Sequence, residues 1–542
     1  MLSGPLLDNA LGDAARIAEL DATAAFPAEQ CAALDAAGLP AYYVPPEWGG
    51  KLDDHEVLLR LWRDVARRDL STIVAHGKTY LGTACVWLAG SEDQASAVAK
   101  AVLGGVPAAW ALSEPGHGAD LLNGSLTATE SADGWRLTGA KWPINNATRA
   151  DLLTVLARTG TAGSARGQSL FLVDKSTLAP GTWQHRRKAA THGIRGVDIS
   201  GIAFDGARAD LLGAQGTGVE TVLRALQLTR TMCGGLSLGA GEHALRLTGR
   251  FVSTRVIQRK PLIDRAQPRS VLARCAGLLA AAEAAALVGA RSIHGLTGEM
   301  SVASAIVKSV VPALTDLVIA DLTELLGARS YLTDVYEYGA FQKLARDHQI
   351  VSVFDGSTPV NRSALAQQFP RLARAYAAET VDGSGLAEAV DIGVRPSELD
   401  RGELVLASRN GCSVVQSLPG VVAALSEPEL TAMARSLLAI TAKVVGLMAE
   451  VRPAARPAMA AYELAAAYEL CYVGAACLHL WTAENDVWLR VALHAVLTRL
   501  TAVLRMPAPE PVDHDPLAEL VADAAMTGGA ITPFGAGDSR GH

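Results

Sequence analysis

Aromatic residues make up only 5% of this 542-residue chain, and charged residues only 19%. Half of the chain is hydrophobic, supplied mostly by Ala, Leu and Val, a composition that excludes global disorder and favours helices. Positive charge is not in excess. A formal net charge of −7 gives no general attraction for nucleic acid or an anionic membrane. The chain has no Cys-x-x-Cys pair. Its seven cysteines (Cys31, Cys85, Cys233, Cys275, Cys412, Cys471, Cys477) are scattered and odd in number, as buried free thiols in a reducing, cytoplasmic setting would be. The N-terminus carries Asp8 and Asp13 and no basic stretch before an apolar run, so no secretory leader is expected. No P-loop and no His-Glu-x-x-His occurs. The longest apolar stretch, 275–290, is Ala-rich and broken by Glu283. A bilayer span needs about 20 strongly apolar residues, so a packed helix and no transmembrane segment are expected here.

Organisation follows from where the hydrophobic period changes. The length exceeds one compact core and implies several domains. Residues 1–108 form a helical N-terminal domain. Within 57–69, Leu58, Leu61, Trp62 and Val65 recur at helical spacing against an Arg-rich face. From 109 to 214 the signal becomes short β-prone runs (134–139, 152–157, 169–173, 197–204) bounded by Gly, Asn or Asp. These predict a small antiparallel β-barrel or sandwich. Helical pattern returns over 215–370, with helices expected at 221–240, 246–257, 270–289, 301–326 and 341–348 in a four-helix bundle. Residues 371–542 predict an additional helical domain: a bundle over 384–505, a Pro-rich break at 506–511, one short helix and a Gly-rich tail from Gly528. The class is α+β, mostly α.

Two segments carry the chemistry. Residues 111–120 read Ala-Leu-Ser-Glu-Pro-Gly-His-Gly-Ala-Asp, and residues 353–362 read Val-Phe-Asp-Gly-Ser-Thr-Pro-Val-Asn-Arg. In this order they resemble the flavin-binding turn and the catalytic-base loop of the acyl-CoA dehydrogenase family. Other ordered blocks support the resemblance. Val44-Pro45-Pro46-Glu47-Trp48-Gly49-Gly50 is similar to the family's N-terminal turn, and Gly139-Ala140-Lys141 with Ile144-Asn145-Asn146 to its Gly-x-Lys-x-x-Ile-x-Asn strand. Gly193-Ile194-Arg195-Gly196, Leu212-Gly213 to Gly218, and Arg346-Asp347 complete the set. The resemblance covers residues 1–370, roughly two-thirds of the chain.

What it implies is an FAD-dependent oxidation of an acyl thioester to its α,β-enoyl form. A carboxylate removes the α proton while the flavin accepts hydride from the β carbon. Asp355 stands where the family usually has Glu, and Thr229, at the base position of some relatives, offers no carboxylate. The base residue's own N–H and a flavin hydroxyl would stabilise the enolate-like charge. Asp is shorter than Glu by one methylene, and a displacement of about 1 Å costs on the order of a hundredfold in rate unless the loop compensates. A nitroalkane-oxidising flavin relative also has Asp here, so an oxidase acting on another activated C–H bond is an alternative. A fold homologue that binds or assembles without turnover is a third.

By the same resemblance, Trp110, Leu112 and Ser113 contact the flavin ring, with Gly118 and Ala119 in the turn. Pro143 stands where a Trp is common, Asn145 replaces a flavin-facing Thr, and Gly356 and Ser357 follow the base. Arg255 matches an Arg that reaches the diphosphate of a neighbouring subunit's FAD. Gln258 and Arg259 replace a Phe-Gly pair and Glu324 a Gln, which implies a remodelled adenine-side site. An added carboxylate at 4 Å from a diphosphate costs about 1–4 kcal/mol, which Arg259 or Arg329 would offset. Longer relatives carry an extra helical domain and form dimers, so a homodimer is implied. The patterns at 141–148 and 354–356 resemble bacterial relatives of polyketide and related secondary biosynthesis, which act on carrier-tethered acyl groups. An acyl-CoA or acyl-carrier-protein substrate and an electron acceptor such as electron-transfer flavoprotein are therefore implied. Arg186-Arg187-Lys188 would meet an acidic carrier or a CoA phosphate, or remain a solvated loop. Asp513-His514-Asp515 lacks partner ligands, so no metal is expected. Gly235-Leu236-Ser237-Leu238-Gly239 has the letters of a hydrolase nucleophile elbow without the strand that motif needs.

Overall fold

Helix starts in the first hundred residues are written in short polar side chains. Asp13, Asp69 and Ser91 each accept a backbone N–H of the following turn, satisfying donors that a helix N-terminus leaves unpaired. These caps open α1 (Ala14–Thr23), α4 (Leu70–His76) and α6 (Glu92–Leu103). Between them lie α2 (Ala28–Ala36), α3 (His55–Ala66) and α5 (Lys78–Ala89). The computed structural model describes residues 11–392 and 394–535. Asp8 and the end of the Gly-rich tail lie outside them.

Seven strands follow: β1 (Ala108–Ala111), β2 (Thr127–Ser131), β3 (Gly134–Asn145), β4 (Leu152–Arg158), β5 (Gln168–Asp174), β6 (Trp183–Arg186) and β7 (Ile199–Leu212). Pairing runs β4–β2–β3–β7–β5 and returns to β4, so the sheet closes on itself as a small barrel. Closure leaves few unpaired edges. The barrel is mixed, since β1 and β2 both pair with β4 in parallel. Period-2 alternation marks a strand but not its direction, which is why sequence pattern suggested a purely antiparallel sheet. Its core includes Leu126, Leu137, Val155, Phe171 and Ile202.

The remaining elements are mostly long helices. α7 (Gly218–Thr254) is one helix where two were expected, and a two-stranded hairpin, β8 (Val256–Ile257) and β9 (Lys260–Pro261), ends it. Then come α8 (Ala266–Gly295), α9 (Met300–Leu326), α10 (Ala340–His348), α11 (Thr358–Ala366), α12 (Phe369–Ala377) and α13 (Gly383–Val390). The C-terminal segment adds α14 (Ser413–Gln416), α15 (Leu418–Ala424), α16 (Pro428–Glu450), α17 (Met459–His479), α18 (Asp486–Val503) and α19 (Asp515–Thr527). Contacts divide the chain into two units: Met1–Asp54 with Asp64–Thr229, and His55–Arg63 with Arg230–His542.

In the second unit α8 is central, packed by α9, α17, α18 and α19. The 275–290 stretch is thus part of a thirty-residue helix, longer than its apolar run suggested. By length and composition α8 is apolar enough to cross a membrane, as are Thr297–Ser330 and Pro428–Glu450. The first two have 94% and 83% of their apolar windows buried inside the protein, so packing accounts for their hydrophobicity. Glu283, the charge within α8, is paired with Arg63 and accepts from the Thr532 hydroxyl at 2.7 Å. Buried charges are sustained by such partners.

Three helices are stapled by one imidazole. His348, fully buried, contacts the Ser237 hydroxyl on α7 through Nε2 at 2.9 Å and the Asp316 carboxylate on α9 through Nδ1 at 2.7 Å. Ser237 lies fully buried in the middle of α7 rather than on a strand-to-helix elbow, so the hydrolase letters mark helix packing. A Cβ on neighbouring Gly235 would sit 2.6 Å from the Leu59 carbonyl oxygen, an approach only glycine allows.

Candidate active site

In the first unit, the turn after β1 is anchored by a buried ion pair. Glu114 is 3% exposed, and Lys141 on β3 donates to its carboxylate at 2.8 Å. Lys141 also donates to the Leu112 carbonyl at 3.0 Å, so one ammonium ties both sides of the turn's entrance to β3. Ser125 adds its N–H and hydroxyl, both at 2.6 Å, and the Leu126 N–H lies at 3.1 Å. Burial alone would raise the Glu114 carboxyl, but Lys141 and Ser125 outweigh it and hold the group at about 2.

That anchor sets the residues named for the flavin. Trp110 is a buried β1 residue, and Leu112 and Ser113 are half-buried just beyond it. The Trp142 N–H donates to the Ser113 carbonyl at 3.0 Å, bringing Trp142 and Pro143, both exposed, beside Ser113. The turn runs on through Gly118 at φ +52° and exposed Ala119. Asn145 donates through Nδ2 to the Val74 carbonyl at 2.9 Å, while its buried Oδ1 has no partner. An orphaned acceptor on the strand that presents Trp142 and Pro143 suits a ring N–H, such as an isoalloxazine carries. Ser113 supplies a hydroxyl nearby. These residues therefore fit a flavin. The Arg186-Arg187-Lys188 run is not wholly free, since Lys188 donates to the Ala24 and Arg195 carbonyls at 2.9 and 2.8 Å.

In the second unit, the loop between α10 and α11 carries Asp355, Gly356 and Ser357. Asp355 has φ +54° and Gly356 φ +92°. A non-glycine residue at positive φ needs surroundings that hold it there. Arg230, buried on α7, donates through Nε to the Asp355 carbonyl at 2.9 Å. Fully buried Lys308 on α9 donates to the Val351 carbonyl at 2.6 Å and lies 5.5 Å from the centre of the Phe354 ring. Asn361 donates to the Gly356 and Ser357 carbonyls at 2.8 and 3.1 Å. Burial lowers both Lys308 and Arg230 from their ordinary values, while the Asp355 carboxylate pulls each back up. The Cys233 thiol lies 3.9 Å from Asp355 Oδ2. Among the described residues, the Asp355 N–H meets no backbone acceptor. The loop thus offers a carboxylate and an uncommitted N–H from one fixed residue. Thr229, by contrast, is fully buried.

Arg255 does not join this group. It is exposed just past the end of α7, and twenty-five residues of helix at 1.5 Å each put it about 37 Å along the axis from Arg230. The hairpin after it turns through Gln258 and Arg259 at φ +52° and +68°. Glu324 is exposed near the end of α9, and the Arg329 guanidinium lies 5.1 Å over the Phe251 ring. Sequence reasoning did not foresee Lys308 or Asn361 at the loop. A lone lysine inside the apolar 300–326 helix was the available signal. Among the described residues no group of three or more His, Cys, Asp or Glu is placed to hold a metal ion. All seven cysteines are free.

Comparison with known proteins adds three matches in chain order. Residues 10–105 match the N-terminal domain of acyl-CoA dehydrogenase, 109–207 its middle domain and 216–369 its C-terminal domain. The probable acyl-CoA dehydrogenase FadE25 of Mycobacterium tuberculosis is 28% identical over 358 residues, 65% of this chain and 90% of that protein. An acyl-CoA dehydrogenase from Bacillus anthracis, solved with FAD, superposes with a TM-score of 0.67 at 16% identity, covering 96% of this chain and 92% of that one. The fold likeness therefore extends through the C-terminal segment. The prolyl acyl carrier protein oxidase AnaB shares the fold at a TM-score of 0.60 and 18% identity, over 67% of this chain and 97% of its own.

Proposed function

Because the chain belongs to the acyl-CoA dehydrogenase family, we propose that it desaturates an acyl thioester, with Asp355 as the base that takes the α proton. The observation that carries this reading is the Asp355 loop: one carboxylate and one uncommitted N–H, on a backbone held by Arg230, Lys308 and Asn361. An α proton is too weakly acidic to leave unless the charge developing on the thioester oxygen is stabilised as it forms. An N–H fixed in advance does this without reorganisation. The carboxylate then receives the proton from the adjacent carbon. FAD is the family's cofactor, and when bound it would supply the acceptor for the hydride of the β carbon. In the first unit Leu112, Ser113, Gly118, Ala119, Pro143 and Asn145 would hold its ring; in the second, Gly356 and Ser357 follow the base in sequence.

Asp in place of Glu favours a second reading, oxidation of another activated C–H substrate such as a nitroalkane. Anaerobic mixing of the FAD-loaded protein with acyl-CoA, acyl-carrier protein and a nitroalkane separates the two. Bleaching of flavin absorbance by a thioester is the expected result, and its size with each carrier identifies the carrier. Bleaching by the nitroalkane alone, with peroxide on re-aeration, would transfer the assignment to the second reading. The fold shared with AnaB is in keeping with a carrier-bound substrate. Seven free cysteines accord with a cytoplasmic location.

A homodimer belongs to the same reading. Arg255 lies too far along α7 to serve the cofactor half that works beside Asp355, and a second copy would bring its own Arg255 to that cofactor's diphosphate. Exposed apolar residues follow it in the hairpin, Val256 and Ile257, and others lie on the segment after α9, Tyr331, Leu332, Val335 and Tyr338, with Tyr331 84% exposed. The Tyr336 hydroxyl donates to the Leu247 carbonyl at 2.8 Å, fixing this segment on α7. Exposed apolar residues of this kind suit an interface with a second copy. Tyr331→Ser with Val335→Ser is expected to shift the protein from dimer to monomer in light scattering and weaken FAD retention. An unchanged mass would place the contact elsewhere.

A further inference from the structure

A largely buried ion pair joins the C-terminal segment to the helix that follows the base loop. Arg362 follows Asn361 directly on α11, the helix that begins at the loop's end. Its guanidinium forks onto Glu469 of α17: Nε donates to Oε1 and Oε2 at 3.1 and 3.0 Å, and Nη2 to Oε2 at 2.8 Å. Glu469 is 1% exposed, within the Ala- and Tyr-rich α17. α17 also packs against α9, the helix that carries Ser309. Ser309 adjoins Lys308, which holds the start of the loop through the Val351 carbonyl. Glu469 therefore sits where the helix after the loop and the helix gripping the loop's start converge.

A buried carboxylate with a forked partner fixes orientation as well as distance. Burial pushes the Glu469 carboxyl up to about 7, against the pull of Arg362. An exposed surface would hold α11 at less expense, and apolar packing would often be as stable as a buried ion pair. The placement is explained if the pair sets the position of α11, and with it the loop that Asn361 ties to the helix's first turn.

We infer that Glu469 of the C-terminal segment is a positioning residue for Asp355, acting through Arg362 and α11. The inference rests on the assignment of Asp355 as the base. A short carboxylate has little tolerance, because a displacement of about 1 Å costs on the order of a hundredfold in rate.

The test uses the full-length FAD-loaded enzyme in anaerobic stopped flow with the thioester that reduces the wild type. Glu469→Gln is expected to slow flavin reduction at saturating substrate about a hundredfold, with the substrate dissociation constant nearly unchanged. The double variant Arg362→Met, Glu469→Met removes both charges together. It is expected to recover thermal stability, while reduction stays slow. A double variant that reduces at the wild-type rate would show the pair to be packing only and overturn the inference. So would a folded Glu469→Gln enzyme with unchanged reduction. In either case the Asp355 assignment stands. A wild type reduced by neither acyl-CoA nor acyl-carrier protein would instead remove that assignment, and this inference with it.

Discussion

Replacing Asp355 by Asn is expected to slow flavin reduction by an acyl thioester about 10²- to 10⁴-fold, the range that a positioned general base contributes. Asn keeps the size of the side chain and the backbone N–H but cannot take the proton. Arg230 binds the residue's carbonyl and Asn361 the two carbonyls that follow, so the loop has no reason to move. The residues placed around a flavin ring in the first unit are untouched, so FAD should remain bound with an ordinary visible spectrum. Stopped-flow reduction and a cofactor-to-protein ratio measure the two properties separately. Full-speed reduction by the Asn variant would remove Asp355 from its role, and loss of FAD would mean that the loop, not the carboxylate, had been tested.

The second large effect is on stability. Lys141→Met strands the Glu114 carboxylate in the interior, and removing one partner of a buried pair costs about 3–5 kcal/mol. The pH dependence should reverse as well. In the wild type Glu114 is held near 2, below its ordinary 4.5, so its contribution is fully present above 4.5 and lost as pH falls through about 2. That depression corresponds to about 3 kcal/mol at neutral pH. Without Lys141, burial dominates and raises the Glu114 carboxyl, so the variant should gain stability as pH falls from 7 toward 5. Thermal midpoints between pH 7 and pH 3 report both limbs. Parallel profiles for the two proteins would show that the pair does not anchor the turn.

How much was legible in the sequence depended on the range of each interaction. The turn at 111–120 and Asp355-Gly356 stood out through their ordered resemblance to a known family, and both segments contain glycines at positive φ. The order of helical, β and helical segments followed from hydrophobic period. The Pro-rich stretch at 506–511 does separate α18 from α19. Two helices were expected at 221–240 and 246–257, whereas α7 runs unbroken from Gly218 to Thr254. Long-range pairs were invisible. Lys308 meets a carbonyl 43 residues away, His348 a serine 111 residues away, and Arg362 a glutamate 107 residues away. Each shows in the sequence only as a polar residue in an apolar setting, which names no partner. The mixed direction of the sheet was hidden for a similar reason, since β1 and β4 pair across 44 residues.

The most direct measurement of the central claim is a single anaerobic turnover with an acyl thioester carrying deuterium at the α carbon. If Asp355 removes that proton as the flavin is reduced, bleaching should slow several-fold relative to the undeuterated substrate. One equivalent of α,β-enoyl thioester should form per flavin, and the Asp355→Asn enzyme should show neither. Thioesters that bind without bleaching the flavin, or that bleach it without enoyl product, would contradict the account.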